Sequence, residues 1–147
     1  MSEPPFQIVL VEDTDLDVFL IRQALGQAGL AFELRVLVNG EEALEFISKI
    51  DSDKTGPLPH LIVLDLNLPK VNGSQVLERV RQSSRCAPVP VLVLTSSDSP
   101  KDRAIVAQFS ATQYFRKSSR LDEFMSLGQV IRELLERRDS FSQACAQ

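Results

Sequence analysis

Short apolar runs rich in valine, isoleucine and leucine recur along the chain, and longer segments with apolar residues at helical spacing separate them. Residues 61–64 and 91–94 are uninterrupted apolar runs, as in parallel strands that are covered on both faces. Residues 34–38 include Arg35, so we expect a strand with one more exposed face. The predicted strands are residues 8–11, 34–38, 61–64, 91–94 and the less apolar 112–116.

Residues that favour the start of a helix follow four of these runs. In the clearest example, Ser99 supplies a capping hydroxyl, Pro100 occupies the first helical position and Asp102 lies in the first turn. Three other helices begin with a capping residue and an acid three positions later, which is the spacing of a capping box. These pairs are Thr14 with Asp17, Asn39 with Glu42, and Ser119 with Asp122. A shorter third helix carries Val76, Leu77 and Val80.

Five repeats of strand and helix predict an α/β fold built on a doubly wound parallel sheet. Neighbouring parallel strands need helical crossovers of one hand, and these place helices on both faces of the sheet. The length of 147 residues suits one domain with short tails. Residues 51–59 are polar and rich in helix breakers, so we expect a long surface loop there and not a domain boundary.

Composition and charge narrow the class of partner. The chain has 16 Lys and Arg against 20 Asp and Glu, a net charge of −4 that disfavours a dedicated nucleic-acid binder. It lacks the basic and apolar stretches of a secretory signal, and its apolar runs are too short to cross a membrane. Cys86 and Cys145 are far apart, which favours two reduced thiols. We therefore expect a cytoplasmic protein that binds neither nucleic acid nor a membrane.

Polar residues stand where the predicted strands end. Glu12 and Asp13 follow the first strand, Asp65 the third, Thr95 the fourth and Lys117 the fifth. In open α/β sheets, ligands bind outside the carboxyl ends of the strands. We therefore expect three carboxylates, one hydroxyl and one amine to converge at one edge of the sheet.

Three carboxylates in one cleft need a compensating charge. Two carboxylates ~4 Å apart repel by ~1 kcal/mol in water and by ~4 kcal/mol at an effective dielectric constant of 20. A divalent cation relieves this repulsion, and Mg²⁺ uses one or two carboxylates while it keeps waters and meets phosphate. Alternatively, Glu12 and Asp13 only favour the N-terminus of the first helix. That alternative does not explain Asp65, which comes from another strand.

The same residues suit phosphoryl transfer. A carboxylate such as Asp65 can attack phosphorus and form an aspartyl phosphate, and catalysis then depends on positioning and charge neutralisation. Lys117 suits a counter-charge for phosphoryl oxygens, and Thr95 suits a hydroxyl donor. Taken singly, Lys117 would be interpreted as a solvated loop lysine and Thr95 as a turn hydroxyl.

Residues 61–73 have the sequence LIVLDLNLPKVNG, which resembles the phosphoacceptor region of receiver domains from bacterial two-component response regulators. Residues 12–13, 93–96 and 114–117 match the other motifs of that family in order and spacing. The resemblance divides the chain into an N-terminal tail (1–6), a receiver domain (7–137) and a C-terminal tail (138–147). It implies a flavodoxin-like (βα)5 sheet with five parallel strands in the order 2-1-3-4-5.

The family implies a role for each matched residue. Asp65 would accept a phosphoryl group from a phosphohistidine on a sensor histidine kinase. Asp13, Asp65 and the backbone carbonyl of Asn67 would bind Mg²⁺, and Glu12 would act through water.

Other matched residues would respond to the phosphoryl group. Thr95 and Tyr114 resemble the switch pair, in which the hydroxyl moves toward the phosphoryl group and the ring then turns inward. Without the resemblance, Tyr114 would be a partly buried aromatic residue with a hydrated hydroxyl. Asn67 and Ser97 flank the acceptor and would tune the lifetime of the phosphate.

Ser118 departs from the family pattern, in which proline follows the lysine through a cis peptide bond. A cis bond before a non-proline residue costs ~2.5–4 kcal/mol, against ~0.5–1 kcal/mol before proline. The sequence therefore leaves the geometry of the Lys117–Ser118 bond open. This Lys-Ser pair, the long loop before the third strand and the Asp-Leu-Asn-Leu-Pro motif resemble single-domain regulators paired with bacterial phytochrome kinases.

The output of the chain is expected to be a protein contact, a phosphorelay or drainage of phosphate from a kinase. Only residues 138–147 follow the predicted last helix, which is too few for a DNA-reading module. Leu127, Val130 and Leu134 widen the apolar stripe of that helix. We hypothesise a homodimer through the face formed by the fourth helix, the fifth strand and the last helix; the alternative is burial of the stripe within the monomer.

Three other functions compete with a phosphorylated regulator. A flavoprotein of this topology would hold phosphate with glycines and free amides after the first strand, where residues 12–15 would repel it. A phosphatase with an aspartyl nucleophile would place a second acid at position 67, but Asn67 cannot protonate a leaving group. A degenerate receiver acting as a phosphorylation-independent scaffold is disfavoured by the intact acidic set and favoured only by Ser118.

Overall fold

The computed structural model describes residues 4–68, 71–96 and 99–146, with side chains described as far as Arg137. Its strands are β1 (Phe6–Val11), β2 (Phe32–Leu37), β3 (Leu61–Asp65), β4 (Val91–Thr95) and β5 (Gln113–Arg116). Its helices are α1 (Asp15–Gln27), α2 (Gly40–Ser52), α3 (Gly73–Gln82), α4 (Pro100–Gln108), α5 (Leu121–Met125) and α6 (Leu127–Ala146). Across these residues, no helix combines the length and the apolar character that crossing a bilayer requires.

All strands are parallel and lie in the order β2-β1-β3-β4-β5, so the predicted sheet and strand order are confirmed. β3 and β4 are buried along their whole length, as their uninterrupted apolar runs indicate. β2 begins earlier than predicted because Phe32 and Glu33 pair in register with Phe6 and Gln7 of β1. β2 and β5 form the two edges and carry exposed residues.

Side chains of the central strands alternate between two apolar layers. Val9 and Val11 of β1 pack in a layer with α2 and α3, whereas Ile8 and Leu10 pack in a layer with α1 and α6. Each fully buried side chain of this size contributes ~1.5–3 kcal/mol relative to an exposed one. The two layers therefore hold the sheet, and with it the carboxyl ends of β1, β3 and β4, in fixed positions.

The start of α1 differs from the prediction. Thr14 is the capping residue, but its side chain makes no capping hydrogen bond, and the carboxylate of Asp17 binds Lys117 instead. The capping box predicted here is therefore wrong, because a tertiary partner takes the acid. The caps predicted for α2 and α4 are confirmed: Asn39 and Ser99 each accept the backbone N–H three positions later.

The end of the chain also differs from the single helix expected after Ser119. The helical region is divided into α5 and α6, and α6 continues through residues 138–146, where a tail was predicted. The cap predicted at Ser119 is wrong, because the capping position of α5 is Arg120, whose side chain makes no capping hydrogen bond. The hydroxyl contacts at this turn belong to Ser118. Its hydroxyl accepts the N–H of Arg120 at 3.0 Å and donates to Glu123 at 2.6 Å.

The apolar stripe of α6 packs within the monomer. Leu127 and Leu134 are buried, and Val130 is partly buried against the same layer. A Cβ atom at Gly128 would collide with the backbone carbonyl of Ala24, so glycine allows α6 to lie close against α1. Burial within the monomer therefore accounts for this stripe, and the homodimer hypothesis loses this support.

Asp51 lies in the last turn of α2, where the long loop was expected to begin, and joins α2 to the end of α3. One carboxylate oxygen accepts hydrogen bonds from the hydroxyls of Ser83 and Ser84 and from the N–H of Arg85, and the other pairs with Arg79 at 2.9 Å. The hydrogen bond from Ser83, together with those from its neighbours, lowers the pKa of Asp51 to about 2. Ionised Asp51 therefore stabilises the native state.

We expect Asp51→Asn to lower the melting temperature at neutral pH. Because the native pKa is lowered from 3.8 to about 2, this stabilisation is present above the ordinary aspartate pKa and is lost as the pH falls through that range. The melting temperature of the variant should therefore fall less steeply over that range than that of the wild type, as measured by circular dichroism. The exposed Asp15→Asn variant serves as control, and a wild-type slope in Asp51→Asn would contradict this expectation.

Candidate functional site

The hydrogen-bond ladder of the sheet continues past the strand ends and positions the polar residues there. The N–H of Glu12 donates to the carbonyl of Leu37 at 3.0 Å, and the N–H of Lys117 donates to the carbonyl of Thr95 at 2.7 Å. Both residues are therefore held by the sheet itself. This is the physical reason why residues distant in sequence meet at the carboxyl edge.

Asp65 is the last residue of β3 and its side chain is 5% exposed. Its Oδ1 accepts the backbone N–H of Asn67 at 2.9 Å. A Cβ atom at Gly73 would collide with the carbonyl oxygen of Asp65, so glycine lets α3 begin directly against the end of the strand. The carboxylate of Asp65 is thus buried and fixed in orientation.

The ammonium group of Lys117 joins three carboxylates. Its Nζ donates to Glu12 at 2.7 Å, to Asp17 at 2.8 Å and to Asp65 at 2.9 Å. A lysine ammonium has three donors, and all three are used here. The side chain of Lys117 is 12% exposed, so these contacts are shielded from water.

Burial and charge shift the pKa values of this cluster. Burial alone would lower the pKa of Lys117, but the hydrogen bonds to Asp17, Glu12 and Asp65 raise it above its ordinary value. Burial raises the pKa of Glu12 to about 7; the charge of Asp65 adds to this, and Lys117 opposes it. Ionising Glu12 therefore costs stability as the pH rises from 4.5 to about 7. The contact with Lys117 therefore does not outweigh the burial of Glu12.

The arrangement fits a divalent cation. Glu12, Asp13 and Asp65 each offer a carboxylate oxygen, and these atoms lie within 4.8 Å of one another. Hard divalent cations bind oxygen ligands at ~2.0–2.6 Å, so a single ion can lie in contact distance of such a set. Asp13 is exposed while the other two are buried, which leaves one side of the set open to water.

Thr95 and Asn67 connect the acid cluster to α4. Thr95 is fully buried, and its hydroxyl accepts from the Asn67 side-chain amide and donates to Asp102 of α4, both at 3.4 Å. The same amide donates to Ser96 at 3.2 Å. Thr95 therefore lies between the segment after Asp65 and the first turn of α4.

The remaining predicted residues lie around this cluster. Tyr114, in β5, is half-buried, and the guanidinium of Arg103 lies over its ring at 5.6 Å from the ring centre. The Lys117–Ser118 peptide bond is trans, since none of the described bonds is cis. Ser97 lies outside the described residues.

Asp17 is the site residue that the sequence analysis assigned to another role. It is 22% exposed and lies in the first turn of α1, where an acid is expected to favour the helix N-terminus. Only its hydrogen bond to Lys117, which follows the edge strand β5, identifies Asp17 as part of the site. No local sequence signal distinguishes these two roles.

Comparison with known families identifies the family of the chain. The family model of the response regulator receiver domain matches residues 8–128, which is most of the sequence. The chain belongs to this family. The receiver domain is a signalling module, so the resemblance drawn from the motifs is confirmed at the level of family and fold.

Individual relatives of this receiver domain include regulators named for phytochromes. Response regulator Rcp1 of Synechocystis sp. is 35% identical over 130 residues, covering 88% of each chain. The structure of the phosphorylated cyanobacterial phytochrome response regulator RcpA aligns with a TM-score of 0.80 at 30% identity, covering 90% of this chain and 94% of that one. A Mn²⁺-bound form of Rcp1 aligns with a TM-score of 0.76 at 34% identity, covering 86% and 91%.

We expect Mg²⁺ to raise the melting temperature of the receiver domain, because a ligand that binds only the native state adds ~2.7 kcal/mol at a hundredfold excess over its dissociation constant. Asp13→Asn should abolish this increase. Its metal-free melting temperature should not fall, since Asp13 is exposed and lies among like charges. Differential scanning calorimetry with and without MgCl₂ measures both effects.

The matched control for this experiment is Asp15→Asn, which removes an exposed acid two residues away from Asp13. It should keep the full response to Mg²⁺. An equal loss of the response in both variants would contradict a site built around Asp13.

Proposed function

We propose that this receiver domain is a response regulator that accepts a phosphoryl group on Asp65 from a phosphohistidine of a sensor histidine kinase. The proposal is carried by the buried carboxylate of Asp65, whose oxygens are held by the N–H of Asn67 and the ammonium of Lys117. In the reaction, a carboxylate oxygen attacks phosphorus and the P–N bond breaks. The imidazole leaves with the bonding electron pair, and Asp65 becomes an aspartyl phosphate.

The acids of the chain would bind and orient Mg²⁺ in this reaction. Asp13, Asp65 and the backbone carbonyl of Asn67 are the proposed ligands, with Glu12 acting through water; the convergence of the three carboxylates supports this set. When bound, Mg²⁺ supplies positive charge to the phosphoryl oxygens. Lys117 would supply a second positive charge as a donor to one of those oxygens.

Thr95 and Tyr114 are the proposed switch pair. The hydrogen bonds of the Thr95 hydroxyl to Asn67 and Asp102 are long, at 3.4 Å, so a phosphoryl oxygen would be a stronger acceptor for it. Movement of the hydroxyl toward Asp65 would release its bond to Asp102 and thus its hold on α4. We further propose that Asn67 and Ser97 tune the lifetime of the phosphate.

The face formed by α4, β5 and the last helical region, which comprises α5 and α6, is the proposed signalling surface. No side chain of α4 is buried, which indicates that this helix is held by fewer apolar contacts than the others around the sheet. Elements with few buried apolar contacts unfold locally or move at low free-energy cost. A change in the hydrogen bonds of Thr95 can therefore alter the position of α4. A homodimer through this face stays a prediction.

A bacterial phytochrome kinase is the proposed class of phosphoryl donor, and the cytoplasm is the proposed location. The similarity to the cyanobacterial phytochrome response regulator RcpA and to the bacteriophytochrome response regulators RtBRR and AtBRR supports this pairing. The exposed large apolar side chains Leu16, Phe19, Val38 and Leu121 lie in segments that leave the carboxyl edge of the sheet. We propose that the kinase contacts some of these side chains when it docks at this edge.

We expect acetyl phosphate with Mg²⁺ to add one phosphoryl group to the wild type, and Asp65→Asn to abolish the addition because the amide is not a nucleophile. Intact-protein mass spectrometry at neutral pH measures the addition. Alkaline hydroxylamine, which cleaves acyl phosphates, should remove it. Asp15→Asn, an exposed acid-to-amide change, should be labelled like the wild type.

Two results would contradict the proposal in different ways. Equal labelling of Asp65→Asn would place the acceptor on another residue. No labelling of the wild type, either by acetyl phosphate or by any autophosphorylated phytochrome kinase, would favour the phosphorylation-independent scaffold.

A further inference from the structure

The hydrogen bonds of Lys117 divide into two kinds. Two acceptors, Glu12 and Asp65, also belong to the carboxylate set that fits a divalent cation. The third acceptor, Asp17, is outside that set and comes from α1. In the proposed function, the cation engages Asp65 directly and Glu12 through water, while Lys117 donates to both of these carboxylates.

We propose that Asp17 is a positioning residue for Lys117, which keeps the ammonium group beside the site when a divalent cation engages Glu12 and Asp65. The inference rests on the proposed function and adds a residue to it. Asp17 acts only through Lys117 and needs no contact with the cation or the phosphoryl group.

Competition for the shared oxygens is the physical basis of this role. An ammonium group 2.7 Å from Glu12 and 2.9 Å from Asp65 already partly neutralises the carboxylates that a cation would bind. A cation must weaken these two contacts, and a lysine that is 12% exposed cannot replace them fully with water. The contact with Asp17 at 2.8 Å is the one that the cation leaves intact.

Loss of Asp17 should therefore weaken cation binding through Lys117. Without its third acceptor, the ammonium group would depend on Glu12 and Asp65 alone, so a cation would have to displace it at a greater cost. Loss of Lys117 has the opposite effect, because it removes the competitor for those oxygens. In a chain without Lys117, Asp17 should matter only through its charge, which its partial exposure screens.

A double-mutant cycle on Mg²⁺ affinity tests this coupling. Isothermal titration calorimetry would measure the Mg²⁺ dissociation constant of the wild type, Asp17→Ala, Lys117→Met and the double variant. We expect Asp17→Ala to weaken binding about fivefold, since charged groups in one hydrogen-bond network are coupled, and Lys117→Met to strengthen it. In the Lys117→Met background, Asp17→Ala should change the affinity less than about twofold.

Two further variants separate position from charge. Asp17→Glu keeps the charge and should recover most of the affinity. Asp15→Ala removes an equal charge from the same turn of α1 and should leave the affinity of the wild type unchanged. Metal-free thermal unfolding supplies a second readout: Asp17→Ala should lower the melting temperature in the wild type but not in Lys117→Met.

The outcomes distinguish this inference from the proposed function. An equal effect of Asp17→Ala in both backgrounds, or no effect in the wild type, would overturn the positioning role while phosphorylation of Asp65 stands. Loss of acetyl-phosphate labelling with the Mg²⁺ coupling intact would overturn the proposed function alone. Absence of Mg²⁺ binding by the wild type would overturn both.

Discussion

The contact of one ammonium group with three carboxylates is the constraint on which the site depends. Lys117 follows β5, while its partners Glu12, Asp17 and Asp65 come from the end of β1, from α1 and from the end of β3. No short segment of the chain could bring these groups together. The parallel sheet does so, because its ladder continues to Glu12 and Lys117 and fixes both by backbone hydrogen bonds. The fold of this protein therefore determines the geometry of its site.

The site combines rigid and weakly held parts. The central strands β3 and β4 are wholly buried, and they end at Asp65 and Thr95. In contrast, α4 carries no buried side chain, and Asp102 links it to Thr95 by a long hydrogen bond. Under the proposed function, phosphorylation would add charge at the rigidly held Asp65 beside a weakly held helix. Such an arrangement suits a switch, since small changes in hydrogen bonding can shift the helix. This contrast follows from how much apolar surface each element buries.

Much of the fold and of the candidate site was predictable, because both depend on local sequence patterns. Uninterrupted apolar runs identify buried parallel strands, and the polar residues that end them must then meet at one edge, as Asp65 and Glu12 do. The unpredicted parts depend on tertiary partners. Asp17 has the sequence pattern of a helix-start acid, and only the position of Lys117 shows its other use. The start of α5 likewise differs from the local pattern: Arg120 stands at the capping position expected for Ser119, and the nearby hydroxyl of Ser118 contacts Glu123.

Nitrogen-15 NMR of the lysine side chains can detect directly whether Lys117 is a buried ammonium group bonded to three carboxylates. With Lys117→Arg used for assignment, we predict a slowly exchanging ammonium signal that stays protonated above the ordinary lysine pKa. We also predict that this signal shifts in both Asp65→Asn and Asp17→Asn. A Lys117 signal that titrates at the ordinary lysine pKa and is insensitive to both substitutions would contradict a buried ammonium group shared by three carboxylates.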